Sequence, residues 1–243
     1  MLCDYMKLKD DDIISFVGAG GKTTMMFKLA QELRHNSKVL VTTTTKIYLP
    51  LIDKYDFIST DSGRFPEYSG VSQNGIYILG LGVNSENKIL GLSKEDLDKV
   101  APRFDYILIE SDGAKEKRLK ASNEYEPVIY EKTTKTIGII DIQSIEMVIN
   151  EENVHRSEIF CEITEAKQGE AVNVEHLVKL ILHPKGLFKS AQGEIILYIN
   201  KVETPNDLIL AKSLVNQLNI KNQKLIDNII IGSLKTEIYY SKY

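Results

Sequence analysis

The densest chemistry in the chain lies in Gly-Ala-Gly-Gly-Lys-Thr-Thr, residues 18–24. Glycines followed by a lysine and two hydroxyls are the parts of a phosphate cradle. Glycine allows a tight turn that brings backbone N–H groups to an anion. On this reading Gly18, Ala19, Gly20 and Gly21 form the cradle and Lys22 reaches the β- and γ-phosphates. The Thr23 hydroxyl ligates Mg²⁺, and Thr24 reaches a further phosphate oxygen. The common spacing G-x-x-x-x-G-K-[ST] would place its first glycine at position 16, which is Phe16. The loop is therefore expected to open at Gly18 and to be compact, with Phe16 buried in the preceding strand.

Three further clusters fit the same chemistry. The run Thr42–Thr45, followed by Lys46, falls at the carboxyl end of an expected strand. Ligands of open parallel sheets sit beyond such ends. Thr43 and Thr44 are candidates for contact with the triphosphate, and Thr44 for the Mg²⁺ shell. The apolar run Tyr-Ile-Leu-Ile ends in Glu110 and Asp112, which share a face if the strand continues. One carboxylate would serve the Mg²⁺ shell while the other orients or deprotonates the attacking water. The two roles stay open between them. With Lys22, these carboxylates are the catalytic candidates; Thr23, Thr44, Glu110 and Asp112 are the metal candidates. Last, an apolar strand ends in Asn200-Lys201-Val202-Glu203, whose resemblance to the base-reading element of small GTPases makes these groups candidates for contact with the base of ATP or GTP.

The elements needed to position these groups are legible. Ile13–Val17 reads as a buried strand, the residues after Gly21 as a helix with apolar spacing, and Lys-Val-Leu-Val-Thr as a second strand. A strand, helix and strand within about 30 residues make a right-handed βαβ unit. Strands are also expected at 104–113, ending in the two carboxylates, around 135–142, at 194–201 and at 228–234. Helices are expected at 94–101 with Ser93 as N-cap, at 174–182 with Asn173 as N-cap, and at 206–218. Such alternation implies one α/β domain over residues 1–243, P-loop NTPase-like, with a mainly parallel sheet covered on both faces. Residues 47–92 are expected to be an insertion or small antiparallel extension.

Composition sets the outer bounds. The net charge is −4 and the pI about 5.7, so a phosphate-neutralising nucleic-acid face is not expected. No apolar run reaches membrane-spanning length, and the first residues lack the pattern of a signal peptide, so a cytoplasmic protein is expected. Cys3 and Cys161 make neither a disulfide framework nor a metal finger. His176 and His183 read as residues of one helix, and Lys9–Asp12 as a solvated approach to the first strand.

Resemblances add to this. The spacing G-x-x-G-K-T-T resembles the phosphate loop of Mur-type ATP-dependent ligases. Asn-Lys-x-Glu resembles the guanine-reading Asn-Lys-x-Asp element of small GTPases, with Glu203 in the Asp position. The segments VGAGGKTT, VTTTTKIYLP, IESDGAKEKRLKASNEYEPVIY, HPKGLFK and INKVE, in that order, resemble the YqeC family. That family is described as accessory to selenium-dependent molybdenum hydroxylases. The resemblance implies a nucleoside triphosphatase assisting maturation of such a hydroxylase, with an apo-hydroxylase or a molybdenum-cofactor intermediate as partner. Two alternatives are a ligase or kinase acting on a small anionic substrate and a non-hydrolysing, nucleotide-gated chaperone. Lys115, Arg118 and Lys120 are expected to bind an anionic second substrate or partner beside the γ-phosphate.

Overall fold

The computed structural model describes residues 1–61, 73–221 and 225–241. After a short helix α1 (Leu2–Tyr5), strand β1 (Ile13–Gly18) leads directly into α2 (Lys22–Leu33) and then β2 (Lys38–Thr43). Next come β3 (Lys46–Tyr48), β4 (Phe57–Ser59), β5 (Gly75–Leu79), β6 (Lys88–Leu90) and α3 (Lys94–Val100). Strand β7 (Tyr106–Glu110) is followed by β8 (Leu119–Lys120), β9 (Lys135–Asp141), β10 (Val154–His155), α4 (Ser157–Thr164) and α5 (Val174–Leu182). The chain ends with β11 (Glu194–Asn200), α6 (Pro205–Ile220), β12 (Asn228–Ser233) and β13 (Ile238–Ser241).

A nine-stranded sheet of order β13-β12-β11-β9-β1-β7-β2-β5-β4 forms the frame. Every pairing in it is parallel except the edge pair β12–β13. Its central strands are buried along their length, as parallel strands covered on both faces must be. Neighbours on β1 show the two faces. Phe16 packs with Met26, Leu29 and Tyr198 under α2, whereas Val17 packs with Leu177, Leu197 and Leu214 under α5 and α6. A third cluster joins Leu40, Tyr77 and Ile107 to Leu97 of α3.

Chain order turns around β1. From β1 the chain moves to β2 on one side, and from β9 it moves to β11 and β12 on the other. The carboxyl ends of β1 and β9 therefore flank a topological switch point, where connections leave in opposite directions and a crevice opens.

Residues 47–92 behave in two ways. β4 and β5 extend the main sheet in parallel, while β3 and β6 form a separate antiparallel pair. Three local expectations change. Asp12 is buried, accepting from Lys9 N (2.8 Å) and Thr134 Oγ1 (2.6 Å), because it fastens the turn that enters β1. His183 is the C-cap of α5, so it does not share a helix face with His176. Strand β7 stops at Glu110, and Asp112 lies on the loop beyond it. Helices α1 and α4, the β8–β10 pair and β13 were not expected from the sequence, although α4 carries Ile159, Phe160 and Ile163 at helical spacing. Among the described residues no helix is long and apolar enough to cross a membrane.

Candidate functional site

The loop after β1 turns through Gly18, Gly20 and Gly21, with φ of +95°, +81° and +140°. Side chains resist these values. At Gly20 a Cβ would also lie 2.5 Å from the Cβ of Asp141. The turn delivers the chain into α2 with Gly21 as N-cap and no side-chain cap. The first N–H groups of a helix have no intrahelical acceptor, and here no cap side chain covers them. Together with the helix dipole they form an anion-directed cluster at the switch point.

Lys22 is buried under this loop. Its Nζ donates to the Gly18 carbonyl (2.6 Å) and pairs with Asp112 Oδ1 (3.0 Å) and Glu110 Oε1 (3.8 Å). Thr23 Oγ1 donates to Glu110 Oε2 (2.6 Å), and the Gly18 amide donates to Asp112 Oδ2 (3.0 Å). Glu110 and Asp112 thus converge on one lysine although the strand does not reach Asp112. Parallel pairing explains it: Phe16 of β1 stands opposite Glu110 of β7, so both loops leave the sheet at the same level. Among the described residues Asp112 Oδ1 has the ammonium as its charge partner but no well-aligned hydrogen-bond donor, and the buried Ser111 hydroxyl between the two acids has no partner.

Burial shifts these groups. It pushes Glu110 above the usual carboxylate range, a stronger effect than the opposing pull of Lys22 and the Thr23 hydrogen bond. Burial also pulls Lys22 down, but the charges of Asp112 and Glu110 together outweigh it and leave the ammonium above its usual value.

From Asp112 a line of alternating charges runs outward. Lys120 Nζ lies 2.8 Å from Asp112 Oδ2 and 3.2 Å from Glu126 Oε2, and Arg156 Nη1 donates to Glu126 Oε2 (2.7 Å). Burial raises Glu126, but Arg156 and Lys120 bring it net below its ordinary value. His155 stands beside Lys120 in the β8–β10 pair. Burial, then the Arg156 and Lys120 charges, lower its pKa to about 4, so its ring is neutral at pH 7. Lys120 is therefore committed inside the protein, contrary to the expectation that it binds a second anion. Arg118 is anchored on Asp141, donating through Nε (2.7 Å) and Nη2 (3.0 Å), and it lines the cleft together with Lys115.

Asp141 was not singled out in the sequence, yet it organises the opposite wall. It ends β9, is fully buried, touches Gly20, and accepts from Arg118 and from Lys201 Nζ (2.7 Å). An apolar strand ending in a carboxylate was the available signal, the same pattern that marks Glu110. Asn200 braces the loop, donating through Nδ2 to the Gly20 carbonyl (2.7 Å) and accepting from Leu234 N (3.2 Å). Glu203 follows, beside Ser233 and Lys235.

These walls enclose a cleft of ≈ 1520 Å³ lined by Gly20 to Thr24, Glu110, Lys201 and Glu203, among others. Thr43 and Thr44 are not brought to it. Thr43 Oγ1 donates to the Glu110 carbonyl and Thr44 Oγ1 to the Val128 carbonyl, each at 2.7 Å, so both brace strands and loops. Thr45 and Lys46 line the cleft instead.

The model of the YqeC protein family matches residues 14–158 of this chain. The chain belongs to the YqeC family. The matched span holds the glycine loop, both carboxylates, Lys120 and Asp141; Asn200 and Glu203 lie beyond it. A YqeC relative from Escherichia coli (strain K12), described as uncharacterised, is 30% identical over 240 residues, covering 97% of this chain and 92% of that protein. No solved structure matches the chain.

Proposed function

We propose that this YqeC-family chain is a Mg²⁺-dependent nucleoside-triphosphate-binding protein, an NTPase whose hydrolysis assists maturation of a selenium-dependent molybdenum hydroxylase or its cofactor. One observation carries the nucleotide part. A buried lysine and a helix N-terminus free of side-chain caps face a cleft at a topological switch point, with two carboxylates behind them. The client part rests on the family resemblance.

The donors suit Mg²⁺. Thr23, Glu110 and Asp112 offer hard oxygens, and Asp112 Oδ1 has a lone pair without an aligned donor. Among the described residues no group of three or more His, Cys, Asp or Glu forms a metal site, so such a cation would share its shell with phosphate oxygens. When bound, the cation would neutralise charge building on the phosphates.

The chain's own residues do the rest. Loop amides and the start of α2 hold the phosphates, and Lys22 is aimed at their charge. On binding, Lys22 exchanges part of its carboxylate pairing for phosphate, while Lys120 remains to balance Asp112. Glu110, held protonation-prone by burial, is the better placed of the two acids to orient a water or accept its proton.

Equilibrium binding of labelled ATP and GTP with Mg²⁺ tests the reading. The wild type is expected to bind at least one of them, and Lys22→Met to lose at least about 100-fold, the loss of a charged hydrogen-bonding group in a buried site. Failure of the wild type to bind either would sink the proposal. A second reading, a ligase or kinase, is favoured by cleft size: ligand sites commonly run about 300–1,000 Å³, leaving room here for an acceptor. Turnover that requires an added carboxylate acceptor would select it.

A further inference from the structure

We propose that the turn from β10 into α4 is a subsite for a small organic carboxylate, held by Arg156, His155 and the uncapped amides at the start of α4. The subsite opens on the same cleft as the glycine loop but uses none of that loop's residues, so it stands apart from the nucleotide reading.

The backbone here is turned toward the cleft. Successive residues of a strand point to opposite sides. His155 and Arg156 nevertheless both line the cleft, and Arg156 leaves the strand in a left-handed conformation (φ +61°). Such a conformation is strained for a residue with a side chain and persists only where the surroundings hold it. Here the holding bonds come from Arg156 Nη1, which donates to Glu126 Oε2 (2.7 Å) and to the Ala121 carbonyl (3.2 Å). A guanidinium has five N–H groups. Nη1 supplies two, and the three on Nε and Nη2 have no acceptor among the described residues. Nε and Nη2 form the planar edge that matches a carboxylate in bidentate fashion.

Further donors surround this edge. His155 is 8% exposed, and among the described residues its ring has no hydrogen-bond partner. A polar group buried to this degree ordinarily has one. The neutral ring carries one N–H to donate. Arg156 is also the N-cap of α4 and makes no side-chain cap. Glu151 accepts from the Ser157 hydroxyl (2.7 Å), but the amides of Glu158 and Ile159 have no acceptor among the described residues. Both of those residues line the cleft, as does Lys115, whose ammonium has no ion-pair partner among the described residues.

Charge selects the class of anion. Two carboxylates line this end of the cleft as well. Glu151 is offset by Lys117, whose Nζ lies 3.8 Å from its Oε2, whereas Glu158 has no ion-pair partner among the described residues. A doubly charged phosphate would meet twice the repulsion from Glu158 that a singly charged carboxylate meets. A carboxylate is also planar, as the open guanidinium edge is.

NMR titration of the full chain at pH 7 and fixed ionic strength, with acetate and inorganic phosphate as probes, is the test. Acetate should shift the His155 ring signals and the Glu158 and Ile159 amides saturably, with a Kd of about 1–10 mM. Arg156→Lys keeps a positive charge beside Glu126 but loses the fork, and should weaken acetate binding about tenfold. Glu158→Gln should tighten it about 1.5- to 5-fold, a gain that a merely structural wall would not give. Absence of a saturable acetate shift at these signals in the wild type, or an acetate affinity unchanged in both variants, would overturn the proposal. Tighter binding of phosphate than of acetate at the same signals would overturn the carboxylate assignment. Nucleotide binding is read separately, at the Lys22 and Thr23 amides, so either site can fail without the other. The wild-type titration decides even where a variant fails to fold.

Discussion

At the scale of single residues, the site is a balance between two buried acids, Glu110 and Asp112, and two buried lysines, Lys22 and Lys120. Lys22 cannot satisfy both carboxylates equally, and the distances show the order: Asp112 at 3.0 Å, Glu110 at 3.8 Å. Ionisation of Glu110 is costly because its carboxyl is buried. Its folded-state pKa is raised, chiefly by burial, so the folded protein holds this proton more tightly than the unfolded chain does. The linked stability is therefore greatest at low pH. It falls as pH rises through the ordinary carboxylate value and on through the raised folded one. Glu110→Gln removes that loss while leaving Lys22 paired with Asp112. Above that window the variant should be more stable than the nucleotide-free wild type by about 1–3 kcal/mol, with the gap closing as pH falls. Urea unfolding at several pH values measures the gap. Hydrolysis by the same variant should drop by about 100-fold or more.

The glycine loop and α2 form the element that matters most, and their geometry leaves little freedom. Gly20 combines a left-handed conformation with a backbone pressed against Asp141, so Gly20→Ala meets both strain and collision. The variant should lose about 1–3 kcal/mol of stability. It should also show faster amide exchange at the start of α2 and weaker nucleotide binding, which hydrogen exchange and titration would detect separately. Much of this element was legible: an apolar strand, glycines, then Lys-Thr-Thr and helical spacing. The neighbours were less so. Thr43 and Thr44 carried the right chemistry at the right end of β2, but alternation along a strand does not tell which partner stands beside it. Once β7 pairs with β2, Thr43 Oγ1 sits against the Glu110 carbonyl and is used there. Asp141 was missed for the converse reason. Nothing local to β9 says that the loop after β1 will rest on it.

For the whole molecule, the nine-stranded sheet turns a set of scattered segments into one crevice. Residues that follow β1 and that lie at the ends of β7 and β11 share it although they are spread from Gly20 to Glu203. A ligand that binds this crevice must stabilise the folded state by mass action. At a nucleotide concentration of 100 times Kd the gain is about 2.7 kcal/mol, which for a chain of this size raises Tm by roughly 5–10 °C. The shift should appear with Mg²⁺ present, shrink when it is chelated, and be absent in Lys22→Met. Thermal unfolding followed by fluorescence reads it directly.

The chain's local order determined the α/β class, the compact loop opening at Gly18, the helix caps at Ser93 and Asn173, and the occurrence of a glycine loop together with two acids. Periodicity, glycine placement and capping chemistry act over a few residues, and a sequence states them openly. Tertiary structure alone decided which charges meet. Asp112 finds Lys22 and Lys120, and Asp141 finds Arg118, Lys201 and Gly20. It also took Lys120, Thr43 and Thr44 out of the cleft lining by giving each a partner inside the protein. The reason is strand order. Which carboxyl ends lie side by side depends on long-range parallel pairing, and that pairing is set by the burial of whole faces rather than by any one segment.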